Sequence, residues 1–103
     1  MPTINGSDVK QLIIACDAGM GSSAMVASTL RSKLSSHGIN VVHVSVDQLT
    51  DAEATVVLTH RGLSERAKMT APTAVIVPFD MFLGDPAFTK VEQAIVNGTD
   101  LES

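Results

Sequence analysis

The chain carries one cysteine, Cys16, at the junction of an apolar run and a glycine- and serine-rich stretch. The run is Gln11-Leu12-Ile13-Ile14-Ala15; the stretch is Asp17-Ala18-Gly19-Met20-Gly21-Ser22-Ser23. The run reads as a buried strand, and a helix starts near Ser22. A thiol at that junction meets unpaired backbone N–H groups and the positive end of a helix dipole. Both favour the thiolate, and both can hold a phosphoryl group. Gly19 and Gly21 let the backbone turn its N–H groups toward one point. Ser22 and Ser23 add hydroxyl donors and a helix cap. A packed, inert cysteine would call for none of these neighbours.

Three related motifs are tested by position. A Walker A loop needs Gly-Lys-Ser/Thr, whereas Gly21 is followed by Ser22. Gly19-Met20-Gly21-Ser22-Ser23-Ala24 fits the dinucleotide pattern G-x-G-x-x-G/A, with Asp47 at a suitable distance. The loop from Cys16 is longer than that fingerprint's tight turn, and the chain is short for a two-half dinucleotide domain. A cysteine phosphatase loop, C-x5-R, needs an arginine where Ser22 stands. That arginine would grip the phosphoryl group bidentately, so hydrolysis of stable phosphate esters is disfavoured. Asp85-Pro86 reads as a helix cap rather than a general acid. What suits a thiolate in an amide cradle without arginine is an activated donor, such as a phosphohistidine with its good leaving group. No metal and no cofactor is called for.

The elements around the loop alternate. Strands are expected at about Gln11–Ala15, Asn40–Val46, Thr55–Leu58 and Ala74–Val77, the last ended by Pro78. A helix over Ser22–Ser36 buries Val26, Ala27, Leu30 and Leu34 and turns Ser28, Arg31, Ser32 and Ser35 outward. Gly38 is its C′ residue. Ser64 caps a second helix stopped by Pro72, and Asp85 with Pro86 opens a third that carries Phe88, Val91 and Ile95 and stops at Gly98. The short link Asp47–Ala54 implies a cramped crossover or an unrecognised helical turn. Residues 1–10 read as a flexible lead and 99–103 as a frayed tail. His37 and His43 read as structural. The expected fold class is α/β, a single three-layer domain spanning 1–103. A four-stranded parallel sheet is flanked by helices in a Rossmann or flavodoxin-like manner. In such sheets ligands bind beyond the carboxyl ends of the strands. Cys16–Ser23, Thr59–Leu63 and Pro78–Asp85 are the loops there.

Bulk properties narrow the partners. At 103 residues the chain is one domain that buries roughly two-thirds of its unfolded surface. Its net charge of −4, with no basic cluster, no Trp, no Tyr and three Phe, disfavours nucleic-acid binding. One cysteine forms no internal disulfide, and a free thiol suits the cytoplasm. No run approaches the ~18 apolar residues needed to cross a bilayer.

The stretch Cys16-Asp17-Ala18-Gly19-Met20-Gly21-Ser22-Ser23-Ala24-Met25 closely resembles the active-site loop of the mannitol-class enzyme IIB component of the bacterial phosphoenolpyruvate sugar phosphotransferase system. A second block, Thr59-His60-Arg61-Gly62-Leu63-Ser64-Glu65-Arg66-Ala67, resembles that family's T-H-R-x-L-x-E-R-A segment, with Gly62 where a more polar residue is expected. The resemblance implies a phosphotransferase. Cys16 accepts phosphoryl from a phosphohistidine on a IIA domain and passes it to a sugar alcohol, mannitol, bound by the membrane IIC component. It implies a phosphoryl-binding loop at Asp17, Ala18, Gly19, Met20, Gly21, Ser22 and Ser23, with His60 and Arg61 as accessory residues. It also implies a cytoplasmic domain that IIC can tether at the inner face of the membrane. Two other classes stay open: a stand-alone thiol phosphatase or arsenate-reductase-like enzyme, and a nucleotide-binding module.

Overall fold

The computed structural model describes residues 3–16, 21–49, 55–80 and 86–102. Four parallel strands form the central sheet: β2 (Gln11–Cys16), β3 (Asn40–Ser45), β4 (Thr55–His60) and β5 (Val75–Phe79), preceded in the chain by β1 (Thr3–Asn5). Their spatial order is β3-β2-β4-β5, all parallel. The helices are α1 (Gly21–Leu34), α2 (Ser64–Thr70) and α3 (Pro86–Asn97). This is the expected α/β class, with the strand order of a flavodoxin-like sheet.

The apolar runs alternate between two cores. Leu12, Ile14, Val41, Val56, Leu58, Val75 and Val77 point to one face and pack under α1 and α3 through Leu30, Leu34, Val91 and Ile95. Ile13, Ala15, Val57 and Ile76 point to the other, against Ala67 and Ala71 around α2. Both faces are covered, so the strands need no alternating polar residues. The predicted stripe of α1 is confirmed: Val26, Ala27, Leu30 and Leu34 are buried, and Ser28, Arg31, Ser32 and Ser35 are exposed. Arg31 lies along the outer edge of β3, donating from Nε and Nη2 to the Val41 carbonyl at 3.2 and 2.9 Å. That covers an edge strand's unpaired acceptor. Gly38 and Gly98 adopt the left-handed conformation at φ 71° and 72°, ending the first and last helical segments as expected.

Several boundaries differ from the sequence reading. β4 runs past Leu58 to His60, because Thr59 and His60 still pair with Pro78 and Phe79 on the edge strand. Pro78 does not end β5. It sits on an edge strand, where a missing N–H costs no ladder bond. Ser64 is not a cap. The 3-10 turn Arg61–Leu63 runs straight into α2, and the Ser64 hydroxyl donates back to the Arg61 carbonyl at 2.9 Å. The link after β3 contains a 3-10 turn, Val46–Gln48, and buries Val46 and Leu49 on the α2 face. The rest of that link, 50–54, and the proposed cap Asp85 lie outside the described residues.

The largest correction concerns the ends. The lead and the tail each contribute a strand: β1 pairs antiparallel with β6 (Asp100–Glu102), Thr3 opposite Glu102. Asn5 fastens the pair to the helix. Its Nδ2 donates to the Gly98 carbonyl at 2.7 Å, while its Oδ1 accepts from the Ser7 N–H at 2.9 Å. Leu101 is buried in the α1/α3 core, with Ile4 packed against it.

Candidate functional site

Cys16 is the last residue of β2, and its backbone pairs with Ser45 of β3. β2 is flanked by β3 on one side and β4 on the other. The chain leaves β2 outward to β3, then returns past it to β4. The carboxyl end of β2 is therefore the topological switch point, where open α/β sheets leave a crevice. The helix that follows, α1, starts at Gly21, so Gly21, Ser22 and Ser23 form its first turn. A first turn presents backbone N–H groups without intrahelical partners. Asp17, Ala18, Gly19 and Met20 of the expected phosphoryl loop lie outside the described residues.

The second block comes to the same edge on the neighbouring strand. Thr59 pairs with Ala15, the residue before Cys16, and on its other side with Pro78. His60 ends β4 and is exposed. Its Nδ1 accepts from the Gly62 N–H at 3.2 Å, which leaves its ring proton on Nε2. The ring also stands edge-on to Phe79, centroids 6.1 Å apart, and Phe79 packs against Phe88 of α3 at 4.8 Å. Arg61 makes a two-pronged ion pair with Asp80: Nε to Oδ1 at 2.8 Å and Nη2 to Oδ2 at 3.3 Å. The pair joins the segments after β4 and β5. It is largely solvated, with side chains 62% and 60% exposed, so it positions more than it stabilises. His37 and His43 lie elsewhere, the first in the turn after α1 and the second on β3, both exposed.

Sequence reading missed two residues of this edge. Asp80 lay within an expected edge loop, but its partner depends on β4 and β5 being neighbours. Thr59 belonged to the second block but received no role. It is fully buried, and its Oγ1 has no hydrogen-bond partner.

Chemically, the edge offers a thiol-bearing position at the head of a central strand, a helix N-terminus following it, and a cation held by a carboxylate one strand away. Such an arrangement can receive an anion.

Comparison with known proteins agrees in extent. The family described as "PTS system, Lactose/Cellobiose specific IIB subunit" matches residues 11–94. The mannitol-specific EIICB component of the PTS system from Geobacillus stearothermophilus is 42% identical over 85 residues, 81% of this chain and 18% of that protein. Its namesake from Streptococcus pneumoniae is 35% identical over 100 residues, 95% of this chain and 17% of that one. The one from Bacillus subtilis is 39% identical over 90 residues, 85% and 19% respectively. The chain thus spans under a fifth of the length of these relatives. Among the described residues, no helix is long and apolar enough to cross a membrane.

Proposed function

The chain belongs to the PTS IIB subunit family, and on that premise we propose that it is a phosphoryl carrier in sugar uptake with Cys16 as its nucleophile. The observation that carries the reading is the place of Cys16: the carboxyl end of the switch-point strand, followed by the start of α1. A dianion held there would meet N–H groups and a favourable dipole.

The donor is a phosphohistidine on a IIA domain. The Cys16 thiolate attacks phosphorus, the S–P bond forms, and the N–P bond breaks with its electron pair going to the imidazole. A sugar hydroxyl held by the IIC component then attacks the same phosphorus. The S–P bond breaks, the thiolate is regenerated, and the hydroxyl proton leaves to solvent. Asp17, Ala18, Gly19, Met20, Gly21, Ser22 and Ser23 form the loop that holds the phosphoryl oxygens. His60 and Arg61 keep the neighbouring loop in place through Gly62 and Asp80. The sugar class is a sugar alcohol, mannitol, as supported by the loop resemblance and by the names of the relatives. The family description names lactose and cellobiose instead, so donor choice is the sharper test. The domain works in the cytoplasm, tethered to IIC at the inner face of the membrane.

The test is residue mapping. The chain is incubated with phosphoenolpyruvate, the general phosphotransfer proteins and either a mannitol-type or a lactose/cellobiose-type IIA protein. Mass spectrometry should find phosphoryl on Cys16 alone, formed faster from the mannitol-type donor. Cys16→Ser should accept none. Labelling of the serine variant at His60, or no labelling of the native chain by either donor, refutes the reading.

A further inference from the structure

The sequence contains two Asn-Gly dipeptides, Asn5-Gly6 and Asn97-Gly98, and the fold brings them together. Asn5 Nδ2 donates to the Gly98 carbonyl at 2.7 Å and to Asp100 Oδ1 at 3.0 Å. Asn5 Oδ1 accepts from the Ser7 N–H at 2.9 Å and from the Ser7 hydroxyl at 2.6 Å. Glycine is required after Asn5, because a Cβ on Gly6 has no room against the Ala94 carbonyl. A glycine there leaves the asparagine amide least shielded from the next backbone nitrogen, since no side chain stands in the way. While β1 and β6 stay paired, attack by that nitrogen is blocked. The Gly6 N–H donates to the Thr99 carbonyl at 2.7 Å, and both polar atoms of the Asn5 side chain are engaged. The extended ψ of 139° at Asn5 also turns the Gly6 nitrogen away from the side chain.

We propose that Asn5 is a deamidation site gated by opening of the β1–β6 pair, and that its product keeps the pair from closing again. The step needs only water. The Gly6 nitrogen attacks Asn5 Cγ, a C–N bond forms, and the Cγ–Nδ2 bond breaks. Ammonia leaves with the proton of the Gly6 N–H. Water then adds to a carbonyl of the cyclic imide and opens it to aspartate or isoaspartate. In the aspartate, oxygen replaces Nδ2 and faces the Gly98 carbonyl and the Asp100 carboxylate, so two attractive contacts become repulsive. The other oxygen still accepts from Ser7, so the 3-10 turn keeps its cap while the terminal pair is lost. Isoaspartate adds a carbon to the backbone and breaks the register of β1 on β6. Either product releases Ile4 and Leu101 from the core they pack in. Terminal segments open most readily of any in a fold, so conversion proceeds in the folded protein at a rate set by that opening.

The experiment holds the native chain at neutral pH in buffer, in urea below the unfolding transition and in urea above it. Peptide mass spectrometry follows the conversion of Asn5 with time. Asn5 should convert in all three, at least about tenfold more slowly in buffer than in the unfolded chain, and faster as urea rises below the transition. Asn5→Asp stands in for the aspartate product. It should melt about 5 °C or more below native, and its Gly6 amide should exchange hydrogen faster. Conversion at the same rate in buffer and in the unfolded chain overturns the gate. No conversion at Asn5 in buffer overturns the site. An Asn5→Asp protein with native melting temperature and native exchange at Gly6 overturns the effect of the product.

Discussion

Gly6 offers the most stringent check on the way the chain ends are built in. It opens the 3-10 turn after β1, is buried, and lies against the last turn of α3. A Cβ added there would stand 1.8 Å from the Ala94 carbonyl oxygen, 2.2 Å from its carbon and 2.7 Å from the Ile95 nitrogen. All three are backbone atoms of a helix, so no rotamer change relieves the clash. An ordinary carbon–oxygen contact needs about 3.3 Å or more, so the turn must retreat by roughly 1.5 Å. That retreat breaks the bond from the Gly6 N–H to the Thr99 carbonyl, 2.7 Å, and the one from Asn5 to the Gly98 carbonyl, also 2.7 Å. Each is worth about 1 kcal/mol net. Loosened packing of the buried Leu101 and Val9 adds about another 1 kcal/mol. Gly6→Ala should therefore lose about 3 kcal/mol, a fall in melting temperature of about 15 °C for a domain this size. Thermal unfolding by calorimetry reads it. Gly38→Ala is the control: its φ of 71° is unfavourable for alanine, but its Cβ would meet nothing within 4 Å. It should cost only about 1–2 kcal/mol. A Gly6→Ala protein that melts within a few degrees of native would show that the terminal strands do not bear on α3.

Two further outcomes are expected at the site. A double-mutant cycle on Arg61→Ala and Asp80→Ala should give a coupling below about 1 kcal/mol that shrinks with salt, since both side chains are mostly solvated; a larger, salt-insensitive coupling would refute the solvated reading. Alkylation of Cys16 followed against pH should report a thiol more reactive near neutral pH than a free thiol, because the start of α1 follows it in the chain; a reactivity profile matching that of a free thiol, or shifted to higher pH, would remove the activated nucleophile.

The sheet was legible because its strands are buried on both faces and so read as short, nearly unbroken apolar runs, such as Leu12–Ala15 and Val75–Val77. The α1 stripe was legible for a similar reason: four apolar positions at helical spacing face one core. The terminal strands were not. Thr3-Ile4-Asn5 and Asp100-Leu101-Glu102 each offer a single apolar residue, too little for a periodic signal. Their pairing depends on Asn5 reaching Gly98, a contact between opposite ends of the chain. The limits of β4 escaped for another reason. Thr59 and His60 look polar, yet the register with Pro78 and Phe79 keeps both in the strand.

The site divides along the same line. Cys16 was legible because the change from apolar run to glycine-rich stretch is local, and so was its place at a strand end. The partners of the second block were not, since they depend on strand order. Arg61 meets Asp80 only because β5 lies beside β4, and Thr59 borders Ala15 only because β4 lies beside β2. The described part of the link after β3 lies on the α2 face, where Val46 and Leu49 are buried. Had β4 added outside β3 instead, the Thr59–His60–Arg61 block would sit two strands from Cys16, and nothing in its residues would differ. The chemistry of this edge is therefore set jointly by a local signal that places the thiol and by a crossover that brings the second block beside it.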